Sequence, residues 1–149
     1  MWSSGNKAKA NSVSKMISSI FTLNKDGIIS FDWRSHGENN YDYLGFDILN
    51  VDTGKYLSGK TDPTYKDCLE NLRSKSSTDF ETITKELSAG TYQIIFMYGK
   101  DGSGNNYEDQ GFVKNIYYGS LSDIYSNPVG ENEDLVMGAT LYAKWVKEE

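Results

Sequence analysis

The stretch Tyr92–Phe112, YQIIFMYGKDGSGNNYEDQGF, decides the fold. Tyr92, Ile94, Phe96 and Tyr98 fall on one side of an extended chain, and Gln93, Ile95 and Met97 on the other. Successive side chains of a strand point to opposite faces, so a segment largely apolar on both sides reads as a central strand covered on both sides, or nearly so. The run from Gly99 to Asn106 then breaks the pattern, because its Gly, Asp, Ser and Asn residues favour turns over strand or stable helix. Glu108 and Asp109 follow, and a second strand begins at Gly111. An acidic loop leaving a central strand is the first place to look for function, since loops on a rigid scaffold carry many binding residues.

The same alternation recurs on either side of this stretch. Ser12–Leu23 reads as a half-buried edge strand with Val13, Lys15, Ile17, Ser19, Phe21 and Leu23 on one side. Asn24-Lys25-Asp26-Gly27 reads as a hairpin turn into Gly27–Ser35, where Ile29, Phe31 and Trp33 face in and Ser30, Asp32 and Arg34 face out. Tyr41–Val51 places Leu44, Phe46 and Ile48 on one face, and Asp52-Thr53-Gly54-Lys55 turns the chain back. Over 63–73 the period changes: Asp62 suits a helix cap, Pro63 the first helical position, and Tyr65, Leu69 and Leu72 recur at helical spacing. One short helix is therefore expected there, with Cys68 near its buried side. Phe80–Leu87, Phe112–Tyr118 and Ala139–Val146 supply further strands, and the first and last strands are expected to pair. Strands at regular intervals, separated by Gly/Asn/Asp turns, indicate an all-β, antiparallel two-sheet β-sandwich, with about eight strands favouring a jelly roll.

At 149 residues the chain is read as a single sandwich domain, 1–149, with enough length to bury a core. The net charge of -6 argues against nucleic acid and anionic membrane surfaces, which would be repelled, and no apolar run suffices for a membrane span. The start Met1-Trp2-Ser3-Ser4-Gly5 has neither the basic nor the apolar region of a secretory signal. The single cysteine, Cys68, rules out an intrachain disulfide, and the single histidine, His36, rules out multi-histidine zinc chemistry. Many Tyr, Ser, Asn and Gly residues are a composition common in secreted or virion β-proteins, so the expected location is extracellular or at a cell surface, within a larger protein, or else a virion.

Taken together, GIISFDWRSHGENNYDYLGFDI, YLSG and LSAGTYQIIFMYGKDGSGNNYEDQGFVKNI resemble a jelly-roll module of bacterial surface proteins and phage fibres, of the MAM, concanavalin-like and cleaved-adhesin kind. The resemblance spans roughly 12–116, and its most specific parts are Glu38…Tyr41-Asp42-x-Leu44 and Tyr98-x-Lys100-Asp101. The 63–77 segment looks inserted relative to the module's usual short link. The resemblance implies an adhesive, accessory or assembly role rather than catalysis. Fold alone does not fix function.

Asp101, Ser103 and Asn105 place oxygen side chains at alternate positions of the glycine-rich loop, with Glu108 and Asp109 behind them, as a structural calcium site would. An EF-hand does not fit, because the twelfth position counted from Asp101 is Phe112 and the sixth is Asn106. The alternative is a solvated turn. Glu38 and Asp42 read either as a glycosidase carboxylate pair or as an ion-pair cluster with Arg34 and Lys100. The ion-pair reading is preferred, because the resembling modules are not enzymes and no other catalytic group is evident. Of the aromatics that could stack on a sugar, Tyr41, Tyr43 and Tyr107 are better candidates than Trp33, which aligns with the core face. With Asn105 they form the candidate ligand site. His36 reads as a surface turn residue. The expected function is a non-catalytic module binding carbohydrate or another surface ligand through loops at one end. The alternative is a phage capsid-decoration, fibre or tail protein that binds neighbouring subunits.

Overall fold

The computed structural model describes residues 2–5, 12–36, 42–73, 79–100, 110–120, 139–140 and 143–148. They form two antiparallel sheets packed face to face, a β-sandwich. In the first sheet β4 (Gly27–His36) lies between β8 (Glu81–Leu87) and β10 (Gln110–Ser120). The other edge of β10 is shared by β1 (Trp2–Ser3) and β11 (Ala139–Thr140). In the second sheet β9 (Gly90–Gly99) is central, with β2 (Val13–Ser18) and β3 (Phe21–Leu23) on one side and β5 (Tyr43–Asn50) on the other. β12 (Ala143–Glu148) flanks β2, and β6 (Lys55–Tyr56) and β7 (Glu70–Arg73) flank β5.

Alternation puts one face of each sheet into a common core. Ile29, Phe31 and Trp33 of β4 meet Leu44, Phe46 and Ile48 of β5 and Tyr92, Ile94, Phe96 and Tyr98 of β9. The aromatic rings interlock: Phe31 sits 4.8 Å from Phe96 in an edge-on pair and 4.7 Å from Phe46. Such pairs add about 0.5–1.5 kcal/mol each beyond the burial of their area. Ile95 and Met97, on the reverse of β9, are buried as well, so this strand is covered on both faces. At the open side of the sandwich Lys85 of β8 bonds Glu70 of β7, tying the edge strands of the two sheets together.

The strand pattern around β4, β5 and β9 is as the alternation dictates, the Asp52–Lys55 turn is the hairpin between β5 and β6, and the terminal strands β2 and β12 pair. Several other expectations are corrected. There is no helix over 63–73. Residues 62–68 form bends, with Thr64 and Asp67 exchanging backbone bonds of 3.0 and 3.1 Å, and 70–73 join β5 as β7. The unpaired edge of β5 and a sheet face needing cover outweigh a local helical preference, which is a weak determinant. Asn24–Gly27 is not a hairpin: β3 lies in the second sheet and β4 in the first, so the turn arches between sheets. The first strand is broken at Ser19-Ile20, which shifts its phase. Met16, with Ser14 and Ser18, faces in ahead of the break, and Phe21 and Leu23 face in after it, whereas Val13, Lys15 and Ile17 face out. The last strand is likewise divided, β11 serving the first sheet and β12 the second.

Candidate functional site

Several described strand ends gather at one end of the sandwich. The register pairs His36 with Gln110, Tyr43 with both Gly99 and Arg73, and Val13 with Gly99. The connections 6–11, 37–41, 74–78 and 101–109 all begin and end among these residues and their neighbours. The base beneath them is polar and dry. Asp42 and Lys100 extend the β5–β9 register one position beyond Tyr43 and Gly99, and both turn into the space between the sheets. Their side chains are 0 % and 2 % exposed, with Lys100 Nζ 4.0 Å from Asp42 Oδ2. Charges taken out of water this completely need opposite charges and hydrogen bonds around them, and each supplies the other with one such contact. The ion-pair reading of Asp42 and Lys100 thus holds in the structure. It also gives a physical reason for two of the motif residues at Tyr41-Asp42 and Tyr98-x-Lys100.

Neighbouring groups tighten the same base. The Lys100 amide donates to the Ser12 carbonyl at 2.9 Å. Ser4 accepts the Gly111 amide on Oγ at 3.0 Å, and its carbonyl accepts Gln110 Nε2 at 2.6 Å. Gly111 is bare because a Cβ there would stand 2.8 Å from the Tyr98 ring and 3.0 Å from Leu44. His36, expected on the surface, is instead only 7 % exposed: β4 runs on through it to pair with Gln110, which moves the turn further along the chain.

The outer face of the second sheet carries a second group of residues at this end. The 62–68 segment lies on that face because Gly45 and Gly99 have no side chains to hold it off. A Cβ on Gly99 would come within 2.2 Å of the Tyr65 ring, and one on Gly45 within 2.8 Å of the Tyr65 carbonyl and 2.9 Å of Cys68 Sγ. Tyr65 stands 6.3 Å from Tyr43, ring centre to ring centre. Lys66 Nζ lies 5.3 Å from the Tyr43 ring and 5.9 Å from that of Tyr65, and Arg73 lies 5.6 Å from Tyr43. Beside Tyr65 is a cleft of about 170 Å³, bounded by Val13, Pro63 and Met97 and by the polar Lys15, Asp62 and Thr64. Cys68 is a half-buried turn residue against this face rather than part of a helix, and burial pushes its thiol to about 11. Nearer the middle of the sheet Asp47 is buried, its carboxylate accepting the Ile48 amide at 2.8 Å and the Ser58 hydroxyl.

Of the ligand and calcium residues singled out in the sequence, Tyr43 alone falls among those described. Tyr41, Tyr107 and Asn105 of the ligand set, and Asp101, Ser103, Asn105, Glu108 and Asp109 of the calcium set, lie outside them, as does Glu38. Among the described residues no group of three His, Cys, Asp or Glu side chains is placed to hold a metal ion. Trp33 is buried in the core and unavailable for stacking, and Tyr118 stacks on Phe21 at 4.3 Å. Tyr65, Lys66 and Arg73 were hidden by the helical reading of their segment. The signal that reveals them is the pair of glycines, Gly45 and Gly99, set in or at the end of apolar strands, where a missing side chain marks close approach by another piece of chain.

No protein-family model matches the sequence, and no curated protein matches it.

Proposed function

We propose that this chain is a non-catalytic, extracellular binding module that recognises carbohydrate or another surface ligand through one end of its sandwich, in the manner of the jelly-roll modules it resembles. The observation that carries this reading is the gathering of the strand ends that flank 6–11, 37–41, 74–78 and 101–109 around the buried Asp42–Lys100 pair. A rigid floor lets loops present ligand contacts without the scaffold itself having to move. Tyr43 stands at that end, and Tyr41, Tyr107 and Asn105 belong to the connections that leave it. Calcium, taken by Asp101, Ser103, Asn105, Glu108 and Asp109, would order the longest of those connections. A glycan array probed with the wild type and with Tyr43→Ala, with and without calcium, tests the reading. Binding that weakens in the variant supports it, and an array with no bound glycan refutes it.

One observation favours the second reading, a virion protein that binds neighbouring subunits. Ile17, Ile20 and Leu57 are 40, 57 and 42 % exposed, apolar side chains that a neighbouring subunit could cover. Light scattering separates the two: a monomer fits a module, and a stable trimer or ring fits a virion part.

A further inference from the structure

The described cations divide between carboxylates and aromatic rings, with Arg34 and Lys114 against Phe80 on the first sheet and Lys66 and Arg73 against Tyr43 on the second. Lys60 is held by Asp67 at 3.0 Å, Lys85 by Glu70, and Lys100 by Asp42. Lys66 and Arg73 are both exposed, and among the described residues they meet aromatic rings rather than carboxylates. Two positive charges at one tyrosine ring are a local feature of a chain whose net charge is -6. They flank two tyrosines whose placement is set by backbone: Tyr65 rests directly on Gly99, and Tyr43 is the register partner of both Gly99 and Arg73.

We propose that this ledge of Tyr43, Tyr65, Lys66 and Arg73 binds an acidic glycan, with a sugar ring against the tyrosines and its carboxylate or sulfate on Lys66 and Arg73. The inference rests on the binding-module reading above and names its ligand class. The two kinds of group suit the two parts of one acidic sugar. Aromatic faces pack on the apolar C–H face of a pyranose, and a guanidinium forms paired, charge-assisted bonds to a planar carboxylate. A neutral glycan would use the rings and leave the cations idle. An acidic peptide would use the cations, but among the described residues the adjoining cleft of about 170 Å³ admits a ring substituent and little more. The negative net charge of the chain then acts as a filter, disfavouring anions away from its cations.

The test is binding of the full chain to carboxylated, sulfated and neutral oligosaccharides, and to poly-glutamate, at about 0.05 M and about 0.3 M salt, where screening differs strongly. The variants are the double substitution Lys66→Gln/Arg73→Gln and, separately, Tyr43→Ala. Both cations are exposed, so the double variant is expected to melt as the wild type does. The expected result is preference for acidic glycans, weakened by salt, with affinity lowered at least about tenfold in the double variant. Whether the carboxylated or the sulfated arm binds tells which acid is read. Neutral glycans bound equally by wild type and double variant would overturn the ledge while leaving the binding module standing. Poly-glutamate bound as tightly as any sugar would make the partner a protein and overturn it as well. An array with no glycan bound at all would remove the inference together with the reading beneath it.

Discussion

Replacing Lys100 by methionine removes one charge from the base of the loop end and takes the Lys100 ammonium from the Asp42 carboxylate, which is 0 % exposed in the core. Breaking a buried pair in this way costs about 3–5 kcal/mol, because the remaining charge must be solvated, protonated or exposed by local unfolding. Against a total stability of about 5–15 kcal/mol for a domain, that is a large fraction. At the roughly 2–4 °C per kcal/mol usual for a domain of this size, the midpoint should fall by about 6–20 °C. The double replacement Asp42→Leu/Lys100→Met removes both charges at once and should recover most of the loss, since well-packed apolar pairs are often as stable as the ion pairs they replace. Urea unfolding of the wild type, both single variants and the double variant measures the coupling directly. A Lys100→Met protein within about 1 kcal/mol of the wild type would refute the argument, and so would a double variant no better than the worse single one.

Further outcomes follow from the outer face of the second sheet. Gly99→Ala should lose about 1–3 kcal/mol by driving a methyl group into the Tyr65 ring, and the same change in a Tyr65→Ala background should cost much less; equal losses in both backgrounds would detach Tyr65 from Gly99. Ser58→Ala should cost about 1–3 kcal/mol by taking a donor from buried Asp47, and a loss below about 0.5 kcal/mol in urea unfolding would deny the bond's importance. Burial raises the Cys68 thiol from 9.0 to about 11, so the native state holds that proton more tightly than the unfolded chain does. Its contribution to stability is full below pH 9 and fades as pH rises through about 11. The difference in unfolding free energy between the wild type and Cys68→Ser should therefore be flat up to pH 9 and change above it, and a change confined to lower pH would contradict the assignment.

Much of the core was legible because β4 and β5 alternate and β9 is apolar on both faces, which marks Ile29, Phe31, Trp33, Leu44, Phe46, Ile48, Ile94 and Phe96 as core positions. β2 misled because its buried positions include serines. Ser14 Oγ accepts the Gly5 amide at 2.9 Å, and Ser18 Oγ accepts the Ile94 amide at 3.0 Å, so small hydroxyls face inward while Ile17 lies outside. The 63–73 segment misled because Tyr65, Leu69 and Leu72 sit at helical spacing by coincidence. Tyr65 covers Gly99, and Leu72 pairs with Leu44 along a sheet edge. Nothing in residue type marks Asp42 and Lys100 as buried; that follows only from the register that sets them opposite each other between the sheets. The aromatic ledge was half legible, through Tyr43, and its cations became visible only when the expected helix gave way to a turn.

The most direct test of where this molecule meets its partner is an amide-shift titration with the tightest glycan from the array. Shifts should gather around His36, Asp42, Tyr43, Arg73, Lys100 and Gln110, while Gly27, Leu87 and Gly90 at the far end stay put. Shifts centred on the far end, with Tyr43 and Lys100 unmoved, would contradict this placement.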